Sequence, residues 1–395
     1  MEFAQRLAPL RSNVFADMDR AKKKAIELGQ DLIDLSLGSS DLPVAPHIIN
    51  RIAQSVPDPK THGYLLFNRT KDFRVAVANW YEKKFGIAVN PETEVLPLIG
   101  SQEGTAHFPL AILNPGDIAL LLDPGYPSHA GGVYLASGEI YPMPLSAENG
   151  FLPIFGDIPS SVISRSKLMV LSYPHNPTTA IAPLSFFEEA VAFCEKHNIV
   201  LVHDFPYVDL VFPPDNYDLP IQSLAPSILQ ADRDKKISIE FFSLSKSYNM
   251  GGFRVGYAIG NAELITALRQ IKATVDFNQY YGILEGGITA LTGPQDHIKT
   301  CVDIFRERRD VFLNALDKIG WEVPTPKATM YIWAKLPNYM GKDSIKFALE
   351  LIEKTGVVVS PGTGFGKCGE GYVRFALVQN PDILQIAVER IAKFI

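Results

Sequence analysis

Short, unbroken runs of aliphatic residues recur along the middle of this 395-residue chain, each separated from the next by a helical pattern. The runs are residues 95–99, 118–122, 168–171, 199–202 and 237–242. Helical stretches such as 103–113 and 186–197 lie between them. Strands that are apolar on both faces are typical of a parallel sheet covered by helices. The pattern therefore predicts an α/β fold with a three-layer αβα domain around a mostly parallel sheet.

The last hundred residues have a different pattern. A helical run over 297–319 ends at Gly320, and shorter elements follow. These are strands near 331–336, 357–360 and 372–377, and helices at 344–355 and 381–394. They predict a smaller α+β unit, and the first forty-odd residues, with one helix (14–28) and one short strand (32–35), are expected to pack against it. We therefore predict a large domain over 45–295 and a small domain made of 1–44 and 296–395.

Composition excludes several classes of protein. The net charge of −6 argues against a non-specific nucleic-acid binder, which needs a basic excess. Cys194, Cys301 and Cys368 are too scattered for a disulfide framework or a zinc site, so we expect reduced thiols and no metal. No apolar run is long enough to span a bilayer, and the first residues lack the pattern of a signal peptide. These features favour a cytoplasmic protein that binds neither membrane nor nucleic acid.

The segment after the last apolar run carries the strongest chemical signal. Ser243, Ser245 and Lys246 follow that run directly, and Arg254 lies between Gly252 and Gly256. Hydroxyl groups and a guanidinium suit a phosphate, and nearby glycines let the backbone approach a ligand closely. A lysine amine beside them can form a Schiff base with a carbonyl compound. The pattern therefore indicates a phosphorylated cofactor held next to a reactive amine.

This combination, S-x-S-K followed by G-x-R-x-G, resembles the fold-type I aminotransferases of class I/II, and further family motifs follow in family order along the chain. The resemblance implies pyridoxal 5'-phosphate as the cofactor, with Lys246 bound to it and moving the proton. It also implies an exchange of an amino group between an L-amino acid and a 2-oxo acid. The residues 13–18 and Ser39-Ser40-Asp41 are similar to the aspartate and LL-diaminopimelate branches.

Asp204 ends another apolar run, and Tyr207 follows it three residues later. On its own Asp204 could be a helix N-cap. A buried carboxylate would also favour the protonated form of a cofactor ring nitrogen by direct ion pairing. The family resemblance assigns this role to Asp204 and a hydrogen bond to the ring oxygen to Tyr207.

Asn176 lies in Tyr173-Pro174-His175-Asn176-Pro177-Thr178-Thr179, which by itself indicates a turn. The resemblance implies that Asn176 contacts the ring oxygen and borders the substrate. The family has glycine where this chain has Thr179, so the backbone there is expected to differ. By the same analogy, the bonds Asn176–Pro177 and Asp123–Pro124 are predicted to be cis.

Gly100-Ser101-Gln102 links an apolar run to a helix, an arrangement that offers free N–H groups and a positive dipole end to a phosphate. It is also an ordinary capped turn. The resemblance places Ser101 and Gln102 at the cofactor phosphate. It also implies that Tyr126, in Asp123-Pro124-Gly125-Tyr126-Pro127, stacks on the cofactor ring.

Arg374 lies in an otherwise apolar strand, where an unpaired cation is costly. Its planar guanidinium can hold a carboxylate through two hydrogen bonds. The resemblance makes Arg374 the clamp for the substrate α-carboxylate and brings the backbone at Gly38 close to the same group.

Tyr64 resembles the family tyrosine that reaches the cofactor phosphate of the neighbouring subunit, which implies a homodimer with shared active sites. Arg69 stands where the family usually has glycine, so the local loop is expected to differ. Arg69 and Arg20 are the candidates for binding the substrate side chain.

Three other functions compete with transamination. A lyase of the β-elimination type would use the same cofactor. A cofactor-binding transcription regulator would need an added helix-turn-helix module, for which no residues are left over. A nicotinamide dehydrogenase is disfavoured because no G-x-G-x-x-G follows the first strand.

Overall fold

The computed structural model describes residues 3–11, 14–213 and 224–395. Its strands are β1 (Ile33–Asp34), β2 (Val95–Leu98), β3 (Ile118–Asp123), β4 (Glu139–Pro144), β5 (Ser166–Leu171), β6 (Val200–Asp204), β7 (Ser238–Ser243), β8 (Gly256–Gly260), β9 (Tyr331–Lys335), β10 (Val357–Val358), β11 (Ser360–Pro361) and β12 (Tyr372–Ala376). Its α-helices are α1 (Ala8–Arg11), α2 (Val14–Glu27), α3 (Pro46–Ser55), α4 (Lys71–Phe85), α5 (Ser101–Ile112), α6 (Pro127–Leu135), α7 (Ser160–Ile163), α8 (Leu184–His197), α9 (Leu244–Ser247), α10 (Ala262–Val275), α11 (Tyr281–Thr292), α12 (Asp296–Lys318), α13 (Ser344–Thr355) and α14 (Pro381–Ile391).

A seven-stranded sheet in the order β2-β8-β7-β6-β5-β3-β4 forms the centre of the molecule. Among these described strands, only β8 runs antiparallel to its neighbours β2 and β7. Every residue of β3 and β7 is buried, as the apolar runs predict. The predicted α/β fold with a mostly parallel sheet is confirmed.

The strands β4 and β8 are not among those predicted from the sequence. β4 lies at the edge of the sheet, is largely exposed and contains Pro142 and Pro144, so it lacks an apolar run. β8 begins at Gly256, the last glycine of the cofactor motif, and ends at Gly260, so it has only three apolar residues between two glycines. Both strands are held in place by their neighbours rather than by a strong pattern of their own.

Helices cover both faces of this sheet. On one face, Phe108 of α5, Val133 of α6 and Leu268 of α10 pack with the sheet residues. On the other, α3, α4, α8 and α11 contribute to a larger core that includes Tyr81 and Phe187. The three predicted layers are therefore present.

The smaller unit has its own core around a three-stranded antiparallel sheet in the order β11-β12-β9. The strand β1 pairs with β10, and α2 packs against α13, so residues 14–35 contact this unit. The preceding α1 instead contacts α6 of the large layer. The predicted domain boundaries at 44/45 and 295/296 remain predictions.

Within the described residues, no helix is both long and apolar enough to cross a membrane. Cys194, Cys301 and Cys368 are all free thiols, and the first two are buried.

Candidate active site

A cleft of about 810 Å³ opens where the carboxyl ends of β5, β6 and β7 meet the smaller unit. Ligand sites of α/β proteins lie at this edge because the parallel strands deliver their following loops to it. Two walls enclose the cleft. The large-sheet wall carries the loops after the strands of the central sheet, and the opposite wall carries the N-terminal segment and the small sheet.

Lys246 lies in the short helix α9, immediately after β7. Its Nζ donates a hydrogen bond across the cleft to the carbonyl oxygen of Gly38 and lies 5.7 Å from the ring centre of Tyr207. The amine is therefore held inside the cleft instead of pointing into solvent.

Ser101 and Gln102 form the first turn of α5, where the N–H groups have no intrahelical acceptor. The preceding Gly100 has φ +76°, and a Cβ there would come within 2.7 Å of the Arg254 guanidinium. The close packing of this guanidinium on the start of a helix makes a cradle suited to a phosphate group.

The loop after β7 completes the cradle. Ser243 Oγ accepts a hydrogen bond from Ser245 N at 3.1 Å, and both residues line the cleft. Gly256 allows β8 to pass next to this point, because a Cβ there would lie 2.8 Å from Ser101 N and 2.5 Å from Phe242 O. Among the motif glycines, Gly256 is thus required for close approach, whereas Gly251 and Gly252 have open space around them.

Asp204 ends β6 and is only 4% exposed. Its Oδ2 is 3.0 Å from His129 Nε2, and its Oδ1 is buried without a hydrogen-bond partner among the described residues. A buried carboxylate oxygen that lacks a donor is costly unless a ligand supplies one. A protonated ring nitrogen would satisfy it.

Arg374 lies on β12 opposite Ser360 of β11. Its Nη1 donates to Asn176 Oδ1 at 2.8 Å and its Nη2 to Ser36 O at 2.6 Å. Within the described ranges no carboxylate pairs with this guanidinium, and its Nε is buried without a partner. A buried cation with only neutral neighbours suits the binding of an anionic group from a substrate.

Residues 30–391 match the model of the family described as aminotransferase class I and II. The chain belongs to this family.

An LL-diaminopimelate aminotransferase of Dehalococcoides mccartyi is 43% identical over 394 residues, which cover 100% of this chain and 99% of the relative. The solved structure of a probable N-succinyldiaminopimelate aminotransferase from Thermus thermophilus has a TM-score of 0.90 and 41% identity, over 97% of this chain and 100% of that one. The structure of substrate-bound BacF from Bacillus subtilis has a TM-score of 0.93 and 36% identity, over 100% of this chain and 98% of that one. The family resemblance expected from the sequence is confirmed.

Class I and II aminotransferases depend on pyridoxal phosphate, and so does this enzyme. The residues of the cleft fit this group, because the cradle matches its phosphate and Asp204 Oδ1 lacks the donor that a protonated ring nitrogen provides. When bound, the cofactor supplies the electron sink and the carbonyl carbon for amino transfer. The protein holds it in place, and Lys246 Nζ can take up and return a proton inside the cleft.

The cis bonds predicted by analogy at Asp123–Pro124 and Asn176–Pro177 are both present. A third, Tyr173–Pro174, was not predicted. Thr179 adopts φ +65°, the left-handed conformation that favours glycine. This aminotransferase therefore has a left-handed backbone at Thr179 even though its residue is β-branched.

Two residues of the site, Tyr331 and His129, are not among those predicted from the sequence. Tyr331 on β9 places its hydroxyl 2.8 Å from that of Tyr207, and its ring lies 4.2 Å from the Arg374 guanidinium carbon. A Cβ on Gly38 would overlap the Tyr331 hydroxyl, which explains why glycine is needed there. Tyr331 has no signal in the sequence, because it stands in an ordinary apolar strand far from every motif.

The two tyrosines differ in acidity. Burial raises the pKa of Tyr207 well above its usual value. Burial also acts to raise the pKa of Tyr331, but the positive charges of Lys246 and Arg374 outweigh it and the pKa is lowered. Tyr331 is therefore the more acidic of the two.

The second missed residue is His129 on α6, which contacts Asp204 from behind and packs edge-on against Tyr126 at 5.8 Å. Tyr126 lines the cleft, and burial raises the pKa of its hydroxyl. Only the fold brings α6 next to the end of β6, so the position of His129 in the sequence does not indicate that it contacts Asp204.

Tyr64, Arg69 and Arg20 do not line the cleft of their own chain. Tyr64 is 88% exposed and packs its ring edge against Phe277. Arg69 donates to Lys60 O at 2.6 Å, and Arg20 pairs with Asp17 on the surface of α2. Asn13, the first residue of the run similar to the family, lies outside the described residues.

Glu103, His107 and Asp276 have the spacing of metal ligands. The Lys272 ammonium already lies between them, 2.9 Å from Glu103 Oε1 and 3.0 Å from Asp276 Oδ1. Burial raises the pKa of Glu103 to about 6 even though Lys272 opposes the shift. This group is therefore a buried ion-pair cluster.

Proposed function

We propose that this aminotransferase takes its amino group from an L-amino acid whose far end is also charged, of the LL-diaminopimelate class, and passes it to a 2-oxo acid. The single observation that supports this choice is the identity of about 42%, over the full chain, with relatives named LL-diaminopimelate aminotransferase. The comparisons give no support to the lyase alternative.

The proposed roles are those that the family resemblance implies, and they are supported by the fact that all of the residues concerned line one cleft. Lys246 moves the proton, Asp204 keeps the ring nitrogen charged, and Tyr207 with Asn176 binds the ring oxygen. The phosphate is bound by Ser101, Gln102, Ser243, Ser245 and Arg254, and Tyr126 covers the ring. Arg374, Asn176 and the backbone of Gly38 bind the substrate α-carboxylate.

The donor is tested by measuring 2-oxo acid formation from a panel of L-amino acids, with 2-oxoglutarate as acceptor. LL-diaminopimelate should give the highest kcat/KM. A higher value with a donor whose side chain is uncharged would contradict the proposed class. Product formation without any acceptor would instead indicate elimination.

We further propose a homodimer in which Tyr64 reaches the cofactor phosphate of the neighbouring subunit. This is supported by the exposure of Tyr64, since covering an exposed aromatic ring with a partner removes apolar surface from water and is favourable. The cytoplasmic location remains a prediction from composition.

Mixing two inactive variants tests the shared site. In heterodimers of Tyr64→Ala and Lys246→Ala, one of the two sites carries neither substitution. After random mixing, half of the dimers are heterodimers, so about a quarter of all sites carry neither substitution. Activity should therefore recover to about a quarter of the wild-type value. No recovery after verified subunit exchange would contradict a role for Tyr64 in the neighbouring site.

A further inference from the structure

The mouth of the cleft contains a charged cluster that none of the roles above uses. Lys22 Nζ of α2 lies 2.8 Å from Asp19 Oδ1 and 3.4 Å from Asp34 Oδ2. All three side chains line the same cleft as Lys246 and Arg374. We call Asp19, Lys22 and Asp34 the rim cluster. Their side chains are partly exposed, at 70%, 25% and 37%, so they can exchange partners with a ligand.

A short chain of hydrogen bonds connects the rim cluster to Arg374. The Arg374 guanidinium donates to Ser36 O at 2.6 Å, while Ser36 N and Oγ donate to Asp34 Oδ1 at 2.8 and 2.6 Å. Asp34 Oδ2 then pairs with Lys22. One residue, Ser36, thus separates the proposed carboxylate clamp from the rim, so the two charged groups of a single small molecule can reach both.

Apolar side chains line the cleft beside the rim cluster. Met18 and Leu37 belong to this lining, and Leu37 is 68% exposed although it faces a cleft. Covering such a side chain with methylene groups removes apolar surface from water and is favourable. The wall therefore suits a ligand with an aliphatic middle and a charged far end.

We propose that the rim cluster is the subsite for the far end of the amino donor, and that this end carries an ammonium group together with a carboxylate. The inference rests on the proposed function and specifies where the second charged end is bound. Two carboxylates against one lysine leave the cluster with a net negative charge, which favours the ammonium group, and Lys22 can pair with the carboxylate. A donor whose far amine is masked by an N-succinyl group would bring only negative charge to Asp19 and Asp34.

The protonation state of the cluster is compatible with this role. Burial acts against the charge of Lys22, but the hydrogen bonds and charges of Asp19 and Asp34 outweigh it and raise the pKa of Lys22. The lysine therefore remains a cation over the neutral range.

Two substitutions test the subsite, each with a matched control on the same helix. Lys22→Met is compared with Lys23→Met, since Lys23 is 81% exposed and pairs only loosely with Glu27. Asp19→Asn is compared with Asp17→Asn, whose side chain pairs with Arg20 on the surface. Asp34 is left unchanged because it holds Ser36, which in turn orients Arg374.

KM and kcat are measured for the four variants with three donors: LL-diaminopimelate, L-lysine and L-norleucine. Lys22→Met should raise KM for LL-diaminopimelate about three- to fivefold, as for a partly exposed ion pair. The KM for L-lysine should rise less, because L-lysine has no distal carboxylate. Asp19→Asn should raise KM for both donors with a distal ammonium. In both rim variants, KM for L-norleucine and kcat with every donor should stay within about twofold of the wild type. The control variants should stay within the same range for all three donors.

The outcomes separate the two proposals. If the wild type prefers LL-diaminopimelate but both rim variants behave like their controls, the rim subsite is wrong and the proposed function stands. If the wild type has the same kcat/KM for L-norleucine as for LL-diaminopimelate, the proposed donor class fails and this inference fails with it. Equal losses with all three donors would mean that the rim cluster supports the fold rather than the far end of the donor.

Discussion

The two walls of the cleft are built in different ways. On the large-sheet wall, Asp204 and Ser243 end their strands, and Lys246 follows Ser243 by three residues. The opposite wall collects Lys22, Gly38, Tyr331 and Arg374 from segments that are far apart in the chain. The first wall is a set of local motifs that a parallel sheet aligns, and the second exists only after the smaller unit has folded. This difference suggests that the cofactor chemistry belongs to the first wall and substrate choice to the second.

The largest effect is expected for Lys246→Ala on the large-sheet wall. Activity should fall by roughly five powers of ten or more, the scale seen when a nucleophile is removed. The visible band of the bound cofactor and its trapping on a lysine by borohydride should both disappear. A reducible lysine adduct that survives in this variant would show that a different amine carries the cofactor.

Asp204→Asn should separate electronic from structural roles on the same wall. The substitution keeps the shape and removes the charge, so transamination should fall by roughly two to four powers of ten, the value of a broken buried ion pair. Tm should change little. His129→Asn, which leaves the carboxylate charged, should have a smaller effect. Parallel losses of activity and Tm would indicate that Asp204 mainly supports the fold.

Arg374→Lys should act mainly on the opposite wall. Hydrogen bonds to charged groups contribute about 1.5–3 kcal/mol each, so affinity for a carboxylate inhibitor such as maleate should fall about ten- to a hundredfold. Cofactor affinity and its visible spectrum should barely change. If maleate binds as tightly as before, the substrate clamp lies elsewhere.

Tyr331→Phe tests the point where the walls meet. The change keeps the ring under Arg374 and removes the hydroxyl that lies against Tyr207. We expect a two- to tenfold loss in kcat/KM, about the value of one neutral hydrogen bond, and a shift in the pH dependence of the visible cofactor band. The control is Tyr339→Phe, because Tyr339 is exposed. An unshifted band would mean that Tyr331 only fills space.

Thr179→Gly should have the smallest effect. A non-glycine residue at φ +65° is strained, and glycine relieves this strain at some cost in chain entropy. The free energy of unfolding should be unchanged or rise by up to about 1 kcal/mol, measured by urea denaturation. Ser137→Gly, at φ +59° in a surface turn, is the control. A clear loss in Thr179→Gly alone would show that the buried threonine side chain stabilises the loop.

Much of the fold could be predicted because the apolar runs are strong and regular. The runs that became β3, β5, β6 and β7 were found within a few residues of their ends, whereas the edge strand β4 was missed because it is exposed and contains prolines. The backbone at Thr179 shows a related limit of prediction from sequence. The motif gives the residue type, but it does not reveal that this residue adopts a left-handed conformation that threonine does not favour.

The sequence by itself determined the layered α/β fold, the family and the groups on the large-sheet wall, because their spacing depends on local periodicity and on strand ends that a parallel sheet aligns. Only the tertiary structure decided that Tyr331 contacts Tyr207, that His129 supports Asp204 and that Lys22 meets Asp34 at the mouth of the cleft. Those contacts join residues separated by 124, 75 and 12 positions. No local pattern records such pairs, since they form only when the packing of two cores brings distant segments together.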